Sequence, residues 1–222
     1  AKRRKMPENG RIPASYKDPS GFLFTRDGIL YRQINEYYRA NYDLFMSSGL
    51  YGELSDSGLL VKLEETAGKH ESGGGYKIIK PESVPFISYP YEWCFSQLRD
   101  AALLTLEIQD RALKRGMSLK DASAYNVAYR GSSPVFIDTL SFEKYREGEP
   151  WVAYGQFCRH FLAPLALMSR RDPRLAKMLA SYSDGIPLDL ASGLLPFSTK
   201  LRFSLLVHLH LHSCNNHRYR ID

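Results

Sequence analysis

The sequence predicts an α+β fold in two lobes, a strand-rich N-lobe followed by a mainly helical C-lobe. Two patterns carry that expectation. Within residues 21–34, short apolar runs flank an Asp-Gly pair, the mark of two strands joined by a tight turn. Within residues 93–115 the positions Phe95, Leu98, Ala102, Thr105, Ile108 and Ala112 share one helical face instead, and helical patterning resumes beyond Trp151. The expected division is a flexible basic arm over residues 1–17, the N-lobe over 18–92 and the C-lobe over 93–222.

In chain order, Phe22-Leu23-Phe24 and residues 29–34 are the two strands, with Arg26-Asp27-Gly28 between them. Asn35 stands where a helix N-cap belongs; the helix should run to about Ser48 with Tyr38, Tyr42 and Phe45 on one face, and Gly49 should end it. Residues 58–64 read as a short buried strand, and residues 66–75, with Gly73-Gly74-Gly75, as a loop. Apolar runs follow at residues 76–79 and 84–89, closed by Lys80-Pro81 and Tyr89-Pro90, because proline lacks the N–H that strand pairing uses. In the long helix, Leu103, Leu104 and Leu106 widen the apolar surface and predict burial on more than one side, and Gly116 supplies the C-cap. After it come a loop over residues 118–125 and a small hairpin made of residues 127–129, a Gly131-Ser132-Ser133-Pro134 turn and residues 135–137.

With 222 residues, 44% hydrophobic and 24% charged, the chain holds enough apolar material for a core. No stretch approaches the roughly 18 uncharged apolar residues of a membrane helix, so no membrane role is expected. The net charge of +6 divides unevenly: residues 1–17 carry +5, residues 199–222 carry +3, and the body between is left at −2. Basicity confined to the two ends is no sign of a specific nucleic-acid partner. The cysteines Cys94, Cys158 and Cys214 are odd in number and widely spaced, with no secretory signal, which points to a reducing, cytoplasmic setting.

The most informative segment is Leu119-Lys120-Asp121-Ala122-Ser123-Ala124-Tyr125-Asn126, followed by Val135-Phe136-Ile137-Asp138. It puts three oxygen-bearing side chains on the two sides of one hairpin, which suits Mg²⁺, a hard cation that shares phosphate oxygens with nucleotides. The plainer reading makes Asp121 and Asn126 turn residues and Asp138 a cap of the next segment. This segment resembles the protein-kinase-like superfamily, whose catalytic loop carries Asp-x4-Asn and whose next hairpin ends in a metal-binding Asp. The resemblance implies a kinase-like fold with Asp121 as catalytic base, Asn126 and Asp138 as metal ligands, and Arg32 and Lys120 as cofactor-binding cations for ATP. Leu119 and Lys120 replace the family's His-Arg, Thr139-Leu140 its Phe-Gly, and Arg32 its lysine; Glu36 is the nearest carboxylate that could orient Arg32.

A second resemblance spans nearly the whole chain. Ile87-Ser88-Tyr89-Pro90-Tyr91-Glu92-Trp93, the 119–127 segment and Phe136-Ile137-Asp138-Thr139-Leu140-Ser141-Phe142 resemble the N-terminal region of bacterial proteins classed as class I SAM-dependent methyltransferases, a group related to a rhizobial nodulation protein. It implies a methyltransferase domain C-terminal to this region, so that SAM would bind outside the chain. The faint glycine-turn candidate, Leu188-Asp189-Leu190-Ala191-Ser192-Gly193, has Leu194 and Leu195 where further glycine is needed, and Gly68-Lys69 lacks the first glycine of a P-loop. His208, His210, His212, Cys214 and His217 are zinc-ligand types, yet alternate histidines fall on different sides of a helix. A chain that starts with Ala and stops soon after the apolar run 201–211 reads as a piece of a longer protein. The functional expectation is a nucleotide-binding, phosphotransferase-like module taking Mg-ATP. The alternatives are a catalytically silent interaction or scaffold module for a C-terminal methyltransferase domain, and methyl transfer by the chain itself.

Overall fold

A computed structural model describes residues 9–12, 18–67, 70, 71 and 73–213. Most of the basic arm, the Gly68-Lys69 pair, Cys214, His217 and part of the basic C-terminal end lie outside the described residues.

Five strands, β1 (Gly10–Arg11), β2 (Gly21–Arg26), β3 (Ile29–Asn35), β4 (Leu63–Thr66) and β5 (Gly75–Pro81), form an antiparallel sheet in the order β1-β2-β3-β5-β4. The predicted turn is present between β2 and β3, with Arg26 opposite Ile29 and left-handed φ angles of 53° at Asp27 and 73° at Gly28. That is the twist a two-residue hairpin requires. At the other end of β2 a Cβ on Gly21 would lie 2.2 Å from the Gln33 carbonyl oxygen and 2.9 Å from Leu140, so only glycine fits there.

The helix after β3 opens with a 3-10 turn, Glu36–Tyr38, and continues as α1 (Arg39–Ser47), burying Tyr38, Tyr42 and Phe45 as predicted. Asn35 does not cap it. Its amide donates to the Pro19 carbonyl at 3.1 Å and its oxygen accepts from Gln33, which ties the strand to the segment before β2. Gly49 ends the helix at φ 79° and leads directly into α2 (Leu50–Asp56), which no sequence pattern announces. The strand expected over residues 58–64 divides: Leu60 and Val61 are buried but reach Phe136 in the second half of the chain, and regular sheet pairing starts only at Leu63. Residues 84–89 form no strand, and Phe86 stands 69% exposed, because Pro85 interrupts the run as well as Pro90.

The long helix α3 (Phe95–Lys114) buries Leu98, Ala102, Thr105, Ile108 and Ala112, followed by Gly116 at φ 72°. Its burial is one-sided. Leu104 is covered, but Leu103 and Leu106 lie on the outer side and remain 58% and 42% exposed, correcting the expectation of burial on more than one side. Two small pairs follow: β6 (Met117–Leu119) with β9 (Phe142–Lys144), and β7 (Val127–Arg130) with β8 (Ser133–Phe136), the second being the predicted hairpin. The rest is helical: α4 (Tyr154–Phe157), a π-helical turn (Cys158–Leu162), α5 (Ala163–Arg170), a 3-10 run (Pro173–Ala180), α6 (Leu188–Leu194), a 3-10 turn (Phe197–Leu201), α7 (Phe203–Leu205) and a second π-helical turn (Leu206–Leu211). The Leu188–Leu194 run is thus a helix and not the strand-to-glycine turn that a SAM site needs.

The largest core cluster joins Phe45, Leu50 and Leu54 of α1 and α2 to Leu98 and Ile108 of α3, Leu119, Phe136, Phe142 and Phe161. Phe45 stacks on Phe142 with centroids 4.6 Å apart, and the Tyr38 hydroxyl donates to the Phe142 carbonyl. The helices after β3 therefore clamp the sheet onto the β6–β9 unit. Among the described residues no helix is long and apolar enough to cross a membrane.

Tyr38→Phe removes a donor from a buried carbonyl and should cost about 1–3 kcal/mol in urea unfolding. In the same assay Leu104→Ala should cost about 2–5 kcal/mol, while the exposed Leu106→Gln should stay within about 0.5 kcal/mol of wild type.

Candidate functional site

Arg32, near the middle of β3, is 9% exposed and is carried by the sheet toward the turn after β8. There its Nη1 donates to Asp138 Oδ1 in a charge-assisted pair, and Nη2 lies 3.8 Å from Asp18 Oδ2. Its Nε is buried with no hydrogen-bond partner among the described residues. Asp138 is engaged on both oxygens: Oδ1 also accepts from the Leu140 N–H at 3.1 Å, and Oδ2 accepts from the Ser141 hydroxyl at 2.7 Å. The Asn126 amide in turn donates to the Ser141 oxygen at 3.2 Å. Asn126 and Asp138 therefore meet through Ser141, and Arg32 reaches them from the sheet.

Lys120 joins from the other side. Its amine donates to the buried Ser20 hydroxyl at 2.6 Å and sits 4.7 Å over the Tyr38 ring, a cation–π distance. The Tyr38 phenol is pushed upward by burial and by Asp138, so it stays a donor. Asp121 sits just beyond the β6–β9 pair, where its Oδ1 accepts the Ser123 N–H at 2.9 Å, the local turn bond of the plainer sequence reading. Glu36, the carboxylate expected beside Arg32, pairs instead with Arg39 at 3.0 Å, since it falls in the 3-10 turn and faces solvent.

These residues do not fit a bound Mg²⁺ as they are arranged. Both Asp138 oxygens already accept protein donors, and the Arg32 guanidinium is paired with Oδ1, which leaves this carboxylate little room to ligate a divalent ion as it is arranged. Burial alone would raise the Asp138 carboxyl; the Arg32 charge with the Ser141, Leu140 and Arg32 hydrogen bonds outweighs it and holds Asp138 below the ordinary carboxylate value. Sequence reading missed Asp18, Ser20, Tyr38 and Ser141. Only Ser141, three residues after Asp138, carried a local signal; the others arrive through tertiary contact.

The described C-terminal histidines, His208, His210 and His212, serve packing. His208 Nδ1 meets the Tyr154 hydroxyl at 2.6 Å, His212 stacks on the Tyr154 ring, and His210 lies between Ser192 and Thr199. No group of metal-ligating side chains occurs among the described residues. Cys94 and Cys158 are both free thiols. His160 is buried in the π-helical turn, and burial, with help from Arg159, lowers it to about 4 against an opposing effect of Asp184.

Arg32→Met alone strands the Asp138 charge and should cost about 3 kcal/mol, with a smaller loss in Arg32→Met/Asp138→Leu, measured as a double-mutant cycle. The acid limb should have two stages. His160, His210 and His212 are all lowered by burial, so the unfolded chain binds their protons first and stability falls as pH drops below 6.5; His160, lowered furthest, to about 4, should account for the largest part, and His160→Gln should make that stage shallower. Asp138, being lowered, gives stability that is present above the ordinary value of 3.8 and is lost only as pH falls through its lower folded value; Asp138→Asn should remove that stage.

No protein-family model matches the chain. Over 223 aligned positions it is 33% identical to nodulation protein NoeA of Rhizobium meliloti (strain 1021), in a match that covers 97% of this chain and 46% of that protein. The chain is therefore a homologue of part of NoeA and spans about half the length of the curated relative it matches.

Proposed function

We propose that the chain is a catalytically silent, kinase-like interaction module of a longer protein, in which it holds a methyltransferase domain that lies outside the chain. The Arg32–Asp138 pair is the observation that carries this reading. Phosphotransfer of the kinase kind needs a metal ion bridging the carboxylate and the nucleotide. Here a guanidinium with fixed fork geometry neutralises that carboxylate. The kinase-like part of the reading is supported by the order of elements: a five-stranded sheet with helices after its third strand, a long α3, Asp121 and Asn126 between β6 and β7, and Asp138 just after β8. The longer-protein part is supported by the size of NoeA, and the methyltransferase part by the sequence resemblance.

Nucleotide binding is the second reading. It is favoured by the convergence of Arg32, Lys120, Asn126 and Asp138, and by Lys120, a cation held by a neutral hydroxyl and a ring.

Thermal melting with millimolar ATP and Mg²⁺ separates the two. A ligand at ten times its Kd stabilises by about 1.4 kcal/mol, which raises Tm by about 3–5 °C in a chain of this size. The silent module should show no such shift; a shift of that size that disappears in Lys120→Ala would replace this reading with the second.

A further inference from the structure

We infer that the surface over residues 196–211 is the face by which the module docks onto the rest of its longer protein, and that the docked surface is apolar with an acidic rim. The inference deepens the interaction-module reading and rests on it.

Phe197, Leu201 and Phe203 are 74%, 80% and 80% exposed, and Leu211 adds to them. Three large apolar side chains within seven residues, each almost fully in water, exceed the scattered exposure a soluble surface normally carries. They are not loose. The Thr199 hydroxyl donates to the Pro196 carbonyl at 2.6 Å and lies 2.9 Å from Nε2 of the buried His210, whose Nδ1 meets the Ser192 hydroxyl at 2.7 Å. Arg171 donates to the Leu194 carbonyl at 2.5 Å, fixing the end of α6 where the segment starts. A buried polar framework therefore presents the apolar side chains outward on a set backbone, which limits the ordering cost of docking.

Charge selects the occupant. Residues 196–211 contain Lys200 and Arg202 and no Asp or Glu, and the Lys200 amine lies 5.6 Å over the Phe197 ring. A second copy is disfavoured, since a two-fold contact would face these cations with their own images. A lipid surface is disfavoured too, because the anchors are divided between a 3-10 turn, which carries Phe197 and Leu201, and the helical run that carries Phe203 and Leu211, and so do not share the single face of an interfacial amphipathic helix. An acidic-rimmed apolar protein surface meets both the anchors and the charge. NoeA offers a source of such a surface, since more than half of that protein lies outside the match.

Hydrogen exchange of residues 196–211, measured in this chain and in the complete gene product, tests the inference. Docking should slow exchange there by about tenfold or more in the complete protein. Leu201→Asp/Phe203→Asp should abolish that protection without lowering the Tm of the chain alone, and Lys200→Glu/Arg202→Glu should weaken it. Equal exchange in both proteins, protection that survives the Asp variant, or a gene product no longer than this chain would overturn the inference. So would dimerisation of the chain in sedimentation that the Asp variant removes, or pelleting with phosphatidylglycerol vesicles. An ATP-dependent rise in Tm with docking intact would instead sink the silent-module reading and leave this face standing.

Discussion

A guanidinium enclosed between the sheet and the turn after β8 sets the character of this protein. Arg32 is too buried to be left without an anion, and the half-buried Asp138 is the carboxylate within its reach, so the two positions depend on each other. The cost of desolvating both is offset by hydrogen bonds that leave neither Asp138 oxygen idle. Ser141 extends the same network to Asn126 on the other side of the hairpin. The network is nearly closed, with the Arg32 Nε left as its one buried polar atom without a partner among the described residues.

The junction is reinforced by apolar packing that runs across the two lobes expected from the sequence. Phe45, Leu50 and Leu54 belong by sequence to the first part of the chain, yet they share a core with α3, β6 and β9. Leu60 reaches across to Phe136 in the same manner. With Tyr38 bonded to the Phe142 carbonyl and Lys120 to Ser20, polar and apolar ties run in parallel between the two halves. Hinge motion at this junction would break several of them together.

The molecule's unspent chemistry lies elsewhere. The histidines near the C-terminal end, which by type suggest a metal, are consumed in holding turns together, His210 most completely. Their work leaves Phe197, Leu201 and Phe203 displayed in water, on an apolar, basic surface with a rigid backing.

Local chemistry alone determined the elements whose causes are local. The Asp27-Gly28 hairpin needs two left-handed residues, α3 needs apolar residues at helical spacing with Gly116 after them, and the β7–β8 hairpin needs a turn at Gly131, although Pro134, read as part of that turn, pairs with Tyr129 inside β8; all three elements were legible in the sequence. So was the meeting of Asn126 with Asp138, because one hairpin joins them. What the sequence could not determine is who partners whom over long separations. Arg32 and Asp138 stand 106 residues apart, and Tyr38 and Phe142 stand 104 apart. Whether Asn35 caps a helix, whether Leu106 is covered and whether Asp138 faces a metal ion or a guanidinium all depend on which surfaces come together. Side-chain type sets what a residue can bond; only tertiary packing decides which partner is within reach and whether water remains to compete for it.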